Sequence, residues 1–191
     1  MRPCSLSRLG PGNVLRDWLN GKAQEFLKSI GLRRGHKVLD FGCGRGNYTI
    51  PAAQVVGNEG RVYALDKNPR SLDELMRRAA ARDLDNIVRM DTLGEIDIDL
   101  DDDSVQVVLL YDIFWYFRLH DLRLPRLLDE VVRVSTPDGL LSIYPKHIDA
   151  DMLLEMVQSR RYRIRDSYSD ELLHNGYLER GRVYNLTLSN R

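Results

Sequence analysis

Val38-Leu39-Asp40-Phe41-Gly42-Cys43-Gly44-Arg45-Gly46-Asn47 decides the fold. The run from His36 to Phe41 is short and apolar and ends in glycines, as a strand buried on both faces does. A helix from about Asn47 to Val56 follows, closed by Gly57. Glycines at such a strand-to-helix turn let a ligand approach bare backbone, and the free amides of the helix start offer donors. Glycine turns also join strands to helices for structural reasons alone, so the neighbours matter. A dinucleotide loop needs glycine where Asn47 stands, and its pyrophosphate would be repelled by Asp40; a cationic ligand would be welcomed.

Outward from this loop, strand and helix patterns alternate. Arg61 to Asp66 reads as the second strand, and Ser71-Leu-Asp-Glu74 as a capping box opening a helix that runs to about Arg82 or Asp83. Asn86 to Met90 and Val105 to Tyr111 read as strands three and four. A helix follows from about Leu122 to Val134, with Pro125 tolerable only in its first turn. After a Pro137-Asp-Gly139 turn come a strand at Leu140 to Tyr144, a helix at Ala150 to Gln158, and strands at Tyr162 to Tyr168 and Arg182 to Leu188. Upstream, Val14 to Ile30 is a helix broken at Asn20–Gly21. Strands joined by helical crossovers run parallel, and ligands bind at their carboxyl ends. Asp66 ends the second strand where an acid can accept from both ribose hydroxyls, and Asp91 ends the third where it can accept from an exocyclic amine.

Val38 to Asn47, Val62-Tyr-Ala-Leu-Asp66, Met90-Asp91 and Ser104 to Tyr111 together resemble the class I S-adenosylmethionine-dependent methyltransferases, in the small-molecule type related to ubiquinone and menaquinone biosynthesis. The likeness covers roughly Arg34 to Pro145. It implies a Rossmann-like, doubly wound α/β fold with seven strands, mostly parallel, the last antiparallel. It also implies that Gly42 and Gly44 lie against the amino-acid part of the cofactor, with Asp40 near its ammonium. Asp66 would hold the ribose, Lys67 would lie beside the adenine, Asp91 and the Thr92 backbone would bind the adenine edge, and Tyr111 would end near the methionine. Gln106 departs from the Asp common in such relatives, at the strand's start. The short connection from Asp112 to Asp121 leaves no room for a capping domain, so the helical cover within residues 1–33 is the candidate lid on a core of residues 34–191, the whole forming one domain.

The 28 basic and 28 acidic residues cancel among 191, and 43% are apolar, which fits a globular domain and disfavours a module built to bind nucleic acid. Cys4 and Cys43 form no C-x-x-C pair, and no run approaches the ~20 apolar residues of a membrane span, so the expectations are no metal site and a cytoplasmic setting. Asp97 to Asp103 lacks the glycine and the terminal Glu of a calcium loop and reads as a solvated turn. Arg160 to Arg165 reads as a guarded sheet edge before a phosphate contact.

Phe114, Trp115, Tyr116 and Phe117 stand at the expected mouth of the pocket, either packing under the sheet edge or walling an apolar acceptor; Trp115, Tyr116 and Lys146 are the candidate acceptor contacts. His147 and His120 are the candidate proton acceptors, whereas His36 and His174 read as structural or exposed. The function expected is methyl transfer from S-adenosylmethionine to a small acceptor. The alternatives are, from a different class, a non-catalytic cofactor-binding sensor or partner subunit and, on the same topology, a nicotinamide-dependent reductase, which Asp40 and Asn47 argue against.

Overall fold

The computed structural model describes residues 15–117 and 121–189. Its core is one seven-stranded sheet of β1 (Lys37–Phe41), β2 (Arg61–Asp66), β3 (Ile87–Asp91), β4 (Val105–Tyr111), β5 (Ser135–Tyr144), β6 (Tyr162–His174) and β7 (Tyr177–Leu188), in the spatial order β3-β2-β1-β4-β5-β7-β6. All pairs from β3 across to β5 are parallel, and β7 runs antiparallel to both β5 and β6. Successive strand residues point to opposite faces, and both faces here are covered. Val38, Leu109 and Leu140 join a core with α1 (Ala23–Ser29), α2 (Thr49–Val56) and α3 (Pro69–Ala80). Leu39, Leu110 and Leu141 join a second core with α4 (Arg123–Val134) and α5 (Ala150–Gln158). Two-sided burial is why these strands read as continuous apolar runs.

Several local expectations change. Helix α3 opens two residues before the predicted capping box: the Asn68 side chain accepts from the amides of Arg70 and Ser71, and Pro69 fills the first helical position, where its missing N–H costs nothing. Ser71 is therefore inside the helix, and Glu74 pairs with Arg77. β5 begins at Ser135, which pairs with Val105 before a register shift takes up the Pro137–Gly139 turn. β6 and β7 are longer than their alternation suggested, because Asn175–Gly176, at φ of 50° and 81°, forms a two-residue turn of the hand that suits a twisted hairpin.

The acidic turn is solvent-facing as expected and is tied to α4 through Asp97–Arg126 and Asp102–Arg133. Gln106 accepts the Lys37 amide at 2.8 Å, closing the start of β1. Arg160, in the turn before β6, pairs with Asp129, and on the outer strand itself Arg165 pairs with Asp166, which agrees with the edge reading.

The helical segment before β1 breaks as predicted, at Asn20 and Gly21. It packs on the flank of the sheet: the Trp18 indole donates to the Asn47 carbonyl at 2.9 Å, and Phe26 lies against Tyr111 with ring centroids 5.9 Å apart. Among the described residues of this segment none lines the cavity; Trp18 and Phe26 pack behind Tyr48 and Tyr111 of its wall.

Candidate active site at the carboxyl ends of the strands

Strand order reverses between β1 and β4, and a crevice opens outside the carboxyl ends of the two strands. A cavity of about 300 Å³ fills it. Its floor is the loop after β1, where the Gly42 and Cys43 amides donate to the Leu65 carbonyl at 2.8 and 3.1 Å. Gly46, at φ 80°, packs so closely on α3 that an added Cβ would lie 2.2 Å from Leu75 Cδ1. Gly44, at φ 54°, is the opposite case: a Cβ there would meet nothing within 4 Å, so bare backbone faces the cavity. Sequence alone could not separate the packing glycine from the open one.

Asp40 and Asp66 flank this loop. Asp40 is 3% exposed, and the Thr49 hydroxyl donates to its Oδ2 at 2.6 Å, while Oδ1 accepts nothing from the described residues. Burial pushes the Asp40 carboxyl up to about 7; the Thr49 hydrogen bond works against that shift and the nearby Asp66 charge adds to it. Asp66 accepts the Gly44 amide on Oδ2 at 2.7 Å and the Asn68 amide on Oδ1 at 2.8 Å, so its carboxylate is fixed in the wall with lone pairs to spare. Cys43 lines the same floor, but burial raises its thiol above the ordinary range, which keeps it protonated and unreactive.

Of the remaining expected contacts, Lys67, Thr92 and Tyr111 line the cavity and Asp91 does not. Asp91 sits beside Asp66 in the β2–β3 register, but Arg89, two residues back on the same face, takes both its carboxylate oxygens at 2.7 and 2.8 Å. Thr92, Gly94, Glu95 and Ile96 form that end of the wall instead. Tyr111 is buried, donates to or accepts from Ser142 Oγ at 2.5 Å, and packs on Tyr48 at 4.8 Å. Desolvation raises both phenols well above their ordinary range, so both are neutral hydroxyls.

The four aromatics after β4 divide their roles. A single 3₁₀ turn over Phe114–Tyr116 puts Phe114 and Phe117 in the core and leaves Trp115 58% and Tyr116 47% exposed at the cavity mouth. The packing reading thus fits Phe114 and Phe117, and the exposed pair Trp115 and Tyr116 remains the candidate wall for an acceptor. Trp115 and Tyr116 lie 4.5 Å apart, the Trp115 indole donates to the Asp112 carbonyl at 2.9 Å, and Lys67 Nζ sits 4.1 Å from the Tyr116 ring centre. Arg123 braces the turn by donating to the Tyr116 carbonyl at 3.2 Å.

His120 lies outside the described residues. Lys146 is paired with Glu179, which also accepts from the Tyr144 hydroxyl at 2.8 Å; neither Lys146 nor His147 lines the cavity. His147 faces His174 instead, Nε2 to Nε2 at 3.3 Å, and His174 Nδ1 lies 2.5 Å from Asp112 Oδ1. The His174 side chain is only 10% exposed, which sets aside its reading as exposed and leaves the structural one standing. Asp112, which lines the cavity, is the other residue that motif reading passed over; burial holds its carboxyl above the ordinary value, against the pull of the His174 imidazole.

Solved structures share this fold. A structure titled as a SAM-dependent methyltransferase from Aquifex aeolicus superposes with a TM-score of 0.67 at 21% identity, over 94% of this chain and 99% of that one. Another titled in the same way, from Methanosarcina mazei, gives 0.70 at 14% identity, over 87% of this chain and 98% of that one. Both likenesses show the fold. The chain is 29% identical over 124 residues to a demethylmenaquinone methyltransferase of Lactobacillus johnsonii, covering 65% of this chain and 49% of the relative. It is 45% identical over 64 residues to a probable cobalt-precorrin-6B C(15)-methyltransferase of Saccharolobus solfataricus, covering 32% of each. The chain thus spans half or less of the length of these relatives. Residues 38–139, more than half of the sequence, match the family described as a methyltransferase domain, and the chain belongs to that family.

Proposed function

We propose that this chain binds S-adenosylmethionine in the cavity between the ends of β1 and β4 and directs its methyl group to a small-molecule acceptor. The observation that carries this reading is the buried, half-free Asp40 carboxyl beside the anchored Asp66, with the bare Gly44 backbone between them. That pair of acceptors suits a ligand bearing an ammonium, a cationic sulfur and ribose hydroxyls, and it opposes a pyrophosphate. Asp40 holds the ammonium, Asp66 accepts from the ribose, and Lys67 with the Thr92–Ile96 wall encloses the base. The bound cofactor supplies a methyl carbon made electrophilic by its sulfonium.

The protein's own contribution is orientation and exclusion of water. Tyr111 and Tyr48 present a stiff, uncharged wall, and Trp115 with Tyr116 offers flat apolar surface at the mouth, where an acceptor can be held in line. Neutral overall charge and this aromatic rim support a small organic acceptor over a nucleic acid. Among the described residues, no helix is long and apolar enough to cross a membrane.

The test is calorimetric titration with S-adenosylhomocysteine and, separately, NAD. Roughly micromolar binding of the first, lost in Asp66→Ala, with no binding of the second, is the expected result. Preference for NAD would overturn the reading in favour of a reductase.

A further inference from the structure

We infer that His147 and His174, with Asp112 behind them, form a binding site for one divalent transition-metal ion of the zinc class, at the rim of the cavity and independent of the ligand assigned to its floor. The three residues come from three separate strand ends: Asp112 follows β4, His147 follows β5 and His174 closes β6. Their ligand-capable atoms all lie within 4.8 Å of one another.

The distance between the two imidazoles is the telling quantity. Nε2 of His147 and Nε2 of His174 are 3.3 Å apart, longer than the ~2.9–3.0 Å of an ordinary N–H hydrogen bond. Two nitrogens bound tetrahedrally at ~2.0–2.1 Å from a zinc ion are separated by about 3.3 Å, the edge of that tetrahedron. The orientation fits as well. Asp112 Oδ1 accepts from His174 Nδ1 at 2.5 Å, which fixes the tautomer that turns the Nε2 lone pair outward; a carboxylate behind an imidazole in this way is the usual support of a metal-bound histidine.

The Asn175 amide also lies 2.9 Å from His174 Nε2, so that nitrogen has two polar neighbours, the amide and the His147 ring. A metal between the rings would satisfy both imidazoles at once. Charge does not oppose it: Lys146, the nearest cation in sequence, is paired with Glu179. Asp112 and His147 both hold left-handed backbone conformations, at φ 59° and 69°, which non-glycine residues adopt at a cost, and their side chains meet the two nitrogens of the one His174 ring. Imidazole donors with open positions select zinc, cobalt or nickel over magnesium or calcium, which require oxygen ligands.

The experiment uses the full chain without a histidine tag, stripped by chelation and titrated with Co²⁺ while visible absorption is followed, then with Zn²⁺ in competition. Expected are one ion per chain, d–d bands, and at least about tenfold weaker binding in His147→Ala, in His174→Gln and in Asp112→Asn. His36→Gln, at the opposite end of β1, should bind as the unaltered chain does. Circular dichroism of each variant separates loss of the site from loss of the fold. Absence of d–d bands, or binding unchanged in both His147→Ala and His174→Gln, overturns the proposal. S-adenosylhomocysteine titration of the stripped chain reports on the cavity floor separately, so the failure of either reading leaves the other standing.

Discussion

Lowering the pH from about 8 to about 6 should weaken S-adenosylhomocysteine binding about tenfold, or about 1.4 kcal/mol, through Asp40 alone. The free protein holds this buried carboxyl at about 7, so near pH 6 it is about nine-tenths protonated and near pH 8 about one-tenth. An ammonium pairs with the ionised form only. Affinity therefore rises with pH through the neutral range and levels off above it, and binding near pH 6 releases close to one proton. Calorimetry in buffers of different ionisation enthalpy counts that proton directly. Asp40→Asn should flatten the pH dependence and abolish the release.

The same shift has a stability consequence of defined sign. The folded carboxyl is raised above its ordinary 3.8, so its stabilising contribution is complete below about pH 4 and is lost as pH rises through about 7. A shift of about three units makes the loss about 4 kcal/mol, so ligand-free Asp40→Asn should resist urea better than the unaltered chain near pH 8 and show little advantage near pH 4. Equal affinity at both pH values with no proton released would refute the placement of the ammonium at Asp40.

Gly46→Ala should cost about 3 kcal/mol in denaturant unfolding, since its Cβ would drive into Leu75, whereas Gly44→Ala should cost only the ~1 kcal/mol of a left-handed alanine and yet impair ligand binding. Asp66→Ala should weaken S-adenosylhomocysteine binding at least about a hundredfold, the scale of two lost charge-assisted hydrogen bonds, while Asp91→Ala, whose carboxylate is engaged by Arg89, should leave calorimetric affinity unchanged. Asn68→Ala should lower stability by about 1 kcal/mol through loss of the α3 cap, and Ser71→Ala should not, a difference that thermal unfolding resolves.

Parts of this fold are written locally and parts are not. β2, β4 and α5 fall where the pattern of apolar residues places them, because burial on two faces or on one helical stripe leaves a periodic imprint on the chain. The α3 start was open to correction from sequence: Asn68-Pro69 combines a strong cap with a proline suited to the first helical turn, and it outcompetes the serine three positions into the chain. Asn175-Gly176 is likewise a strong hairpin signal, and extending the two strands to meet it would have moved His174 from a loop to the end of β6. Arg89 and Asp91 share one strand face, so their pairing was foreseeable too.

What sequence cannot display is convergence. Asp40, Asp66 and the glycines are legible because a single β-α-β unit carries them, and its crossover geometry fixes where their strand ends lie. Asp112, His147 and His174 come from three strands, the first and last 62 residues apart, and nothing local marks one as the partner of another. Their meeting depends on β7 inserting antiparallel between β5 and β6, which returns the end of the β6–β7 hairpin to the mouth of the cavity. The residues proposed for the cofactor are thus carried by one short unit, while the Asp112–His147–His174 cluster is assembled by topology, and its residues can change by substitution at strand ends without disturbing the sheet.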